Sequence, residues 1–347
     1  MPTLRARLGT WNIPTFHMWK HRNTEFVSEP IDLVSPSTRI ATIGSCFAEE
    51  LANGLDAFHL NGGMHPAGLF YNSSSIRYEF ERIFNGHDIR EHVPLWETKN
   101  GWVDPFRNYF QAFQTTDALL AERHRIDEQA KQLFKKANVI VITLGLIELW
   151  RDPNSGAPYA SLPHPEVFDD LNLTITRQEV SDIKEDLEAI YSIISQSTNA
   201  KLVVTVSPVP LHTTFTKHDV RVANTHSKGR IVAAVSEFID AHPDVHYFHS
   251  YDLVTTAEVS SDYMMEDGRH VHRHAVHYIL SRFLKNFAPN IAIEDVDTSW
   301  LTAPSKTAAR PRQGNSLMKQ VARKVPSQIK SKVPEQMKRT IRTLMDD

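Results

Sequence analysis

Residues 39–50, Arg-Ile-Ala-Thr-Ile-Gly-Ser-Cys-Phe-Ala-Glu-Glu, decide the fold of this 347-residue chain. The segment starts as a short apolar run with β-branched residues, is interrupted by Gly44, and continues from Phe47 with residues that favour a helix. We therefore predict a strand, a tight turn and a helix. The turn carries Ser45 and Cys46 at the carboxyl end of the strand, beside the backbone N–H groups of a helix N-terminus.

Cys46 is the only cysteine of the chain, so no intramolecular disulfide can form. A thiol at a helix N-terminus has a lowered pKa, and the thiolate is the reactive form of cysteine. The alternative is that Cys46 is a small buried apolar residue, which is the commoner fate of an isolated cysteine after a strand. Asp267 and His270, far downstream in the sequence, favour a reactive thiol over a buried apolar one.

The composition is that of a globular protein. Hydrophobic residues make up 41% of the chain, enough for a full core in one large domain. No stretch of about 18 consecutive apolar residues is present, so no transmembrane helix is predicted. The single cysteine and the absence of a secretory signal predict a reducing, cytoplasmic location.

The net charge of −3 is unevenly distributed. Residues 304–347 contain eleven Lys and Arg residues against three acidic residues, so this tail carries about +8 and the remainder about −11. Apolar residues recur near every fourth position of the tail, which is typical of a basic amphipathic segment on an anionic membrane surface. A disordered or partner-docking tail is the equal alternative. A nucleic acid partner is not predicted, because the body is acidic and has no binding motif.

Apolar runs alternate with helical patterns along the rest of the chain. The runs that predict buried strands are 138–145, 201–210 and 245–248. The segments with a helical pattern are 106–136, 177–196, about 225–241 and 275–287. The segments that we predict to be irregular are 62–72, 86–110 and 151–175.

This alternation predicts an α/β fold with three layers and a mostly parallel sheet. Ligands of such sheets bind at the carboxyl ends of the strands. Just before the last helix, Asp267 and His270 lie three residues apart. A histidine can take the proton of a nucleophile, an aspartate can orient the histidine, and N–H groups at the turn can stabilise an oxyanion. The arrangement suits acyl transfer.

Further polar residues and glycines are candidates for oxyanion or substrate contacts: Gly68, Asn72, Gly145, Glu148, Ser207, His226 and Lys228. Two alternatives stay open. Asn72 can be an exposed turn residue, with Ser73 or Ser74 capping the following helix. His226 and Lys228 can belong to a capped, solvated helix end. The histidines at 270–277 are not expected to bind a metal, because zinc sites usually add carboxylate or thiolate ligands.

Residues 44–48, Gly-Ser-Cys-Phe-Ala, resemble the five-residue signature of the GSCFA family. The other stretches that carry this resemblance are Tyr71-Asn72, 144–150, 205–209, Ser227-Lys228, and Asp267 with His270. The similarity covers about 35–290. The family resembles a branch of the SGNH (GDSL-like) hydrolases, whose flavodoxin-like α/β/α domain has its nucleophile in Gly-Asp-Ser and ends with Asp-x-x-His.

The resemblance implies Cys46 as the nucleophile, His270 as the general base and Asp267 as its orienting group. Ser45 is the alternative nucleophile. The superfamily has Gly-x-Asn in its third motif, with the asparagine in the oxyanion hole, whereas Leu and Ile follow Gly145 here. The missing donor must come from Asn72, the Gly68 N–H or the Cys46 N–H.

The implied activity is an esterase, a deacetylase or an O-acyltransferase that acts on a glycan or glycolipid. A hydrolase needs no cofactor, whereas a transferase needs an acyl donor such as acyl-CoA. We expect an irregular extension over 1–35, a catalytic domain over 36–290 and the basic tail over 291–347. The alternative is a non-catalytic domain that binds a saccharide or a protein partner and is tethered by its tail, at the inner face of the membrane or in an assembly.

Overall fold

The structure is a computed structural model that describes residues 29–60, 62–86, 95–107, 111–160, 166–167, 174–255 and 273–291. Its strands are β1 (Ile40–Gly44), β2 (Gly62–Met64), β3 (Trp96–Thr98), β4 (Gly101–Val103), β5 (Val139–Leu144), β6 (Glu148–Arg151), β7 (Thr174–Arg177), β8 (Lys201–Val206) and β9 (His246–Phe248). Its helices are α1 (Cys46–Ala57), α2 (Ser73–Asn85), α3 (Thr116–Lys136), α4 (Val180–Ser197), α5 (Val220–Ala241), α6 (Ser250–Thr255) and α7 (Arg273–Phe287).

The central sheet has five strands in the order β2-β1-β5-β8-β9, and every neighbouring pair is parallel. Gly44 of β1 lies opposite Thr143 of β5, which in turn lies opposite Thr205 of β8. The carboxyl ends of the three central strands therefore meet at one edge of the sheet. Loops at this edge hold the ligand in folds of this kind.

Helices cover both faces of the sheet. Ile140 and Ile142 of β5 pack into a core with α2, α3, α4 and α5, whereas Val139 and Val141 pack on the opposite face with α1, α6 and α7. Successive side chains of a strand point to opposite faces, so a continuous apolar run serves both cores. The predicted three-layer α/β/α flavodoxin-like fold with a mostly parallel sheet is confirmed.

Several segments predicted to be irregular contain short strands. Residues 62–64 form β2, at the edge of the central sheet. The segment 86–110 contains β3 and β4, which form a small antiparallel sheet. The segment 151–175 contains the end of β6 and the start of β7, which form a second one. Strands of three or four residues are too short to show a period in the sequence, so the prediction of loops was wrong at these positions.

Two predicted helix boundaries were also wrong. The helix expected from residue 106 begins at Thr116, because Thr115 caps it by accepting a hydrogen bond from the Ala118 N–H at 3.2 Å. The helix expected from about 225 begins at Val220, after Asp219. Residues 226–228 therefore lie well inside α5 and do not form its N-terminus.

The described residues include neither 1–28 nor 292–347, so the predicted extension and tail lie outside them for most of their length. Residues 256–272, which contain Asp267 and His270, also lie outside the described residues. Across the part of the chain that is described, no helix combines the length and the apolar character needed to cross a bilayer.

A buried ionic cluster holds α2 against α3. Glu79 contacts Arg82 at 2.5 Å and Arg107 at 3.2 Å, and both arginines also pair with Asp127. The side chains of Glu79, Arg82 and Arg107 are at most 3% exposed. His65 lies 3.5 Å from Glu79, and its burial and the two arginines lower its pKa to about 3, so the ring is neutral at physiological pH.

We expect Glu79→Ala to destabilise the protein by about 3–5 kcal/mol, because removing one partner of a buried ion pair leaves the other charges uncompensated. Urea unfolding measures the change. The matched control is Glu122→Ala, which breaks the Glu122–Arg125 pair of 2.6 Å on the surface of α3 and should cost less than about 1 kcal/mol. Equal costs for the two variants would contradict a structural role for the buried cluster.

Candidate active site

The turn between β1 and α1 depends on Gly44. Its φ of +141° is in a region that side-chain-bearing residues rarely adopt, and a Cβ atom there would overlap the backbone and hydroxyl of Thr143. The next residue, Ser45, uses its N–H to bind Thr143, at 3.1 Å from the carbonyl oxygen and 2.9 Å from Oγ1. The end of β1 is thereby fastened to the end of β5.

Ser45 and Cys46 differ in accessibility. The Ser45 side chain is buried at 2% exposure, and its Oγ lies 3.2 Å from Thr143 Oγ1. Cys46 is half-buried and is the first residue of α1, where N–H groups at the helix N-terminus favour a negative charge. The geometry therefore favours Cys46 over Ser45 as a nucleophile that reaches a substrate.

The loop that precedes α2 packs directly against the turn. The Phe70 N–H donates to the Gly44 carbonyl at 2.8 Å, and the Tyr71 carbonyl accepts from the Gly145 N–H at 2.8 Å. A Cβ atom on Gly145 would lie 3.2 Å from Ser45 Cβ and 3.2 Å from the Tyr71 oxygen. Because Gly145 lacks a side chain, the three segments can approach this closely.

Asn72 caps α2, so the alternative caps Ser73 and Ser74 were wrong. Its Oδ1 accepts hydrogen bonds from the Ser75 N–H at 2.9 Å and the Ser75 hydroxyl at 2.7 Å. These bonds fix the orientation of the amide, and its NH₂ group donates to no acceptor among the described residues. Asn72 is only 3% exposed, so it is not an exposed turn residue, and it directly follows the Tyr71 carbonyl that binds Gly145.

Three other predicted site residues, Gly68, Glu148 and Ser207, form hydrogen bonds within the protein. The Gly68 N–H donates to the His65 carbonyl at 3.0 Å, so this hydrogen is already used in a turn. Glu148 accepts from the Thr214 hydroxyl at 2.6 Å and the Phe215 N–H at 2.8 Å, which anchors the loop before α5. Ser207 is buried, and its N–H donates to the Leu144 carbonyl at 2.8 Å.

Lys228 is completely buried, contrary to the alternative of a solvated helix end. Its ammonium group donates to the Gly145 carbonyl at 2.8 Å and to the Ser207 carbonyl at 2.7 Å, at the ends of β5 and β8. Burial lowers its pKa to about 7, and the negative charge of Cys46 acts in the opposite direction. His226 is exposed on the same helix, with its ring 5.4 Å from that of His218.

Sequence reasoning missed Thr143, and it named Ser227 within the family resemblance without giving it a role. Thr143 is fully buried and binds both the N–H and the hydroxyl of Ser45. Ser227 accepts from the Ile147 N–H at 3.1 Å and so joins α5 to the segment after β5. The available signal for Thr143 was a polar residue near the end of an otherwise aliphatic run, two positions before Gly145.

The structure thus brings Ser45, Cys46, Asn72, Gly145, Ser207 and Lys228 to one edge of the sheet. Glu148 lies nearby as a loop anchor, whereas His226 faces solvent. Asp267 and His270 lie outside the described residues. Within the described ranges, no three or more His, Cys, Asp and Glu residues are grouped so that they could hold a metal ion.

These features define an α/β/α protein with a cysteine at the carboxyl edge of a parallel sheet, at the start of a helix. The profile of the GSCFA family matches residues 39–283, which is more than half of the chain. The chain therefore belongs to the GSCFA family. A comparison with curated proteins gives no match.

We expect Gly44→Ala to destabilise the protein by more than about 2 kcal/mol, because both the positive φ and the overlap with Thr143 oppose a side chain. Gly86→Ala is the matched control. Gly86 also has a positive φ, of +66°, but a Cβ atom there meets nothing within 4 Å, so its cost should be near 1 kcal/mol. Thermal and urea unfolding compare the two, and equal costs would show that the close approach at Thr143 is unimportant.

Proposed function

We propose that this protein is an acyl-transfer enzyme whose nucleophile is Cys46. The observation that carries the proposal is the position of this half-buried thiol at the N-terminus of α1 and at the carboxyl edge of the sheet, while Ser45 beside it is buried. Partial exposure lets a substrate reach the sulfur, and the helix N-terminus stabilises negative charge on it. These are the two requirements for a cysteine nucleophile.

In the proposed reaction, the Cys46 thiolate attacks the carbonyl carbon of an ester and forms a C–S bond while an electron pair moves onto the oxygen. The tetrahedral intermediate then expels the alkoxide, which takes a proton from protonated His270, with Asp267 orienting the ring. Water, or the hydroxyl group of an acceptor, gives a proton to His270 as its oxygen attacks the resulting thioester. The C–S bond then breaks, which releases the carboxylic acid or the new ester and regenerates the thiolate. The roles of His270 and Asp267 rest on the resemblance to the SGNH hydrolases.

The oxyanion needs hydrogen-bond donors close to the nucleophile. Asn72 is a suitable donor, because its oxygen is occupied by the α2 cap and its NH₂ group is left for a ligand. It takes the place of the asparagine that the superfamily has after the glycine of its third motif. N–H groups at the start of α1 complete the set.

The same resemblance supports a glycan or glycolipid ester as the substrate class. A hydrolase of this kind uses only water as the acceptor, whereas a transferase uses a sugar hydroxyl and a donor such as acyl-CoA. Attraction of the basic tail to an anionic membrane would bring the enzyme to a glycolipid substrate at the inner face.

p-Nitrophenyl acetate tests the nucleophile without knowledge of the natural substrate. We expect mass spectrometry to find one acetyl group on Cys46, and His270→Ala to lower the rate of acylation by about 100-fold or more. Cys46→Ala should abolish acylation, whereas Ser45→Ala should retain it. Acylation of Ser45, or of Cys46 only at the rate of a small free thiol and independently of His270, would contradict the proposal.

Asn72→Asp and Asn72→Ser separate the two functions of this residue, because both keep an oxygen that can cap α2 but lose the amide NH₂. We expect kcat for p-nitrophenyl acetate to fall by about 100-fold or more in both, the usual effect of removing an oxyanion donor. The free energy of unfolding should stay within about 1 kcal/mol of the parent. The serine variant shows whether the loss in kcat is caused only by the negative charge of the aspartate. An unchanged kcat in both variants would show that Asn72 is not an oxyanion donor.

One observation favours the second candidate, a non-catalytic domain that binds a saccharide or a protein partner. Ile147, where Gly-x-Asn would have its asparagine, is 2% exposed, so this position offers no side-chain donor. A chain without any oxyanion donor would bind ligands at the same edge but would not turn them over. Saccharide binding by the parent, with no acylation of Cys46, would support this candidate.

A further inference from the structure

Lys228 is held in a place that normally excludes a charge. Its side chain is fully buried, and its two hydrogen-bond partners are main-chain carbonyl groups. Within the described ranges, no Asp or Glu forms an ion pair with it. A buried ammonium group loses its hydration, and two neutral acceptors replace only part of this stabilisation.

The position of the ammonium group relates it to Cys46. One of its acceptors is the carbonyl of Gly145, the residue that packs against Ser45 in the turn. The charge of a Cys46 thiolate raises the pKa of Lys228 against the effect of burial. Such interactions are reciprocal, so a charged Lys228 favours the thiolate form of Cys46.

We propose that Lys228 is the buried cation that keeps Cys46 ionised, a positioning residue that acts through the thiolate and does not contact the substrate. The inference rests on the proposed role of Cys46 and adds a charge partner that the histidine–aspartate pair does not supply. Loss of the thiol proton to solvent or to His270 leaves the thiolate beside the ammonium group, with no further reactant needed. The exposed His226, two residues away on α5, does not share this environment.

The pH dependence follows from the groups around the ammonium. Cys46 of α1 acts on it through its charge, and at the ends of β5 and β8 it contacts the uncharged carbonyls of Gly145 and Ser207. Among the described residues, Cys46 is the titratable group whose charge shifts the pKa of Lys228. The thiol and the amine therefore titrate as a coupled pair, and removing the amine should move thiolate formation to higher pH.

The experiment measures the rate of Cys46 alkylation by iodoacetamide from about pH 5 to about pH 10 in the full chain, as the single cysteine gives one signal. We expect Lys228→Met to lower the rate at pH 7 by about tenfold or more, since each unit of thiol pKa changes the thiolate fraction about tenfold. At high pH, where the thiol is fully ionised in both proteins, the alkylation rates of the parent and of Lys228→Met should become equal. Ser227→Ala is the matched control, because it removes the bond to the Ile147 N–H but keeps the cation, and its profile should match the parent.

The outcomes separate this inference from the proposed function. If the parent thiol has a lowered pKa and Lys228→Met leaves it unchanged, the inference is overturned while a cysteine nucleophile stands. If the pKa rises in Lys228→Met but p-nitrophenyl acetate leaves no acetyl group on Cys46, the charge pair stands and the acyl-transfer proposal fails. A parent thiol with the ordinary value of about 8.5 overturns the inference.

A reciprocal measurement avoids any change at the buried position. Lys228→Met can fail to fold because it leaves two carbonyl groups without a donor, but Cys46→Ala removes only a half-buried thiol. NMR titration of the lysine ε-methylene groups should show one lysine with a pKa near 7 in the parent and a lower pKa in Cys46→Ala, since the thiolate no longer favours the ammonium. An identical titration in the two proteins would overturn the inference.

Discussion

The close approach of the chain segments at the ends of β1 and β5 is the constraint on which the site depends. Gly44 and Gly145 lie where a side chain would collide with Thr143 or press against Ser45. Because these two residues have no side chains, the backbone at the end of β1 can bind the end of β5. Helix α1, which follows β1, therefore starts at the edge of the sheet. Cys46 then occupies the first position of α1.

Buried hydroxyl groups complete this edge. Thr42, Thr143 and Thr205 are fully buried on the three central strands. Thr42 binds the first turn of α1, Thr143 binds the turn before it, and Thr205 binds the last residue of β9. Buried polar groups are tolerated when they are hydrogen-bonded. An aliphatic residue at any of these positions would fit the core but would release the segment that carries or supports the site.

Four strands of the central sheet were predictable because they are apolar runs with clear ends, whereas β2 (Gly62–Met64) was wrongly predicted to be irregular. The Gly-Ser-Cys turn was predictable from its glycine. The two-stranded sheets β3–β4 and β6–β7 were not predictable, since contacts with residues distant in sequence determine whether a segment of three or four residues forms a strand. The burial of Lys228 was unpredictable for a different reason. Lysine is almost never fully buried, and the two carbonyls that accept its hydrogens belong to strand ends separated from it by 83 and 21 positions.

These separations also set when the site can exist during synthesis. Thr143 leaves the ribosome 97 residues after Cys46, and Lys228 follows only after β8, one more strand of the central sheet. Contacts so distant in sequence form late, because loop closure must precede the pairing of parallel strands. Until then the proposed Cys46–Lys228 pair cannot form, so under this proposal a chain that stops folding early carries only an ordinary thiol.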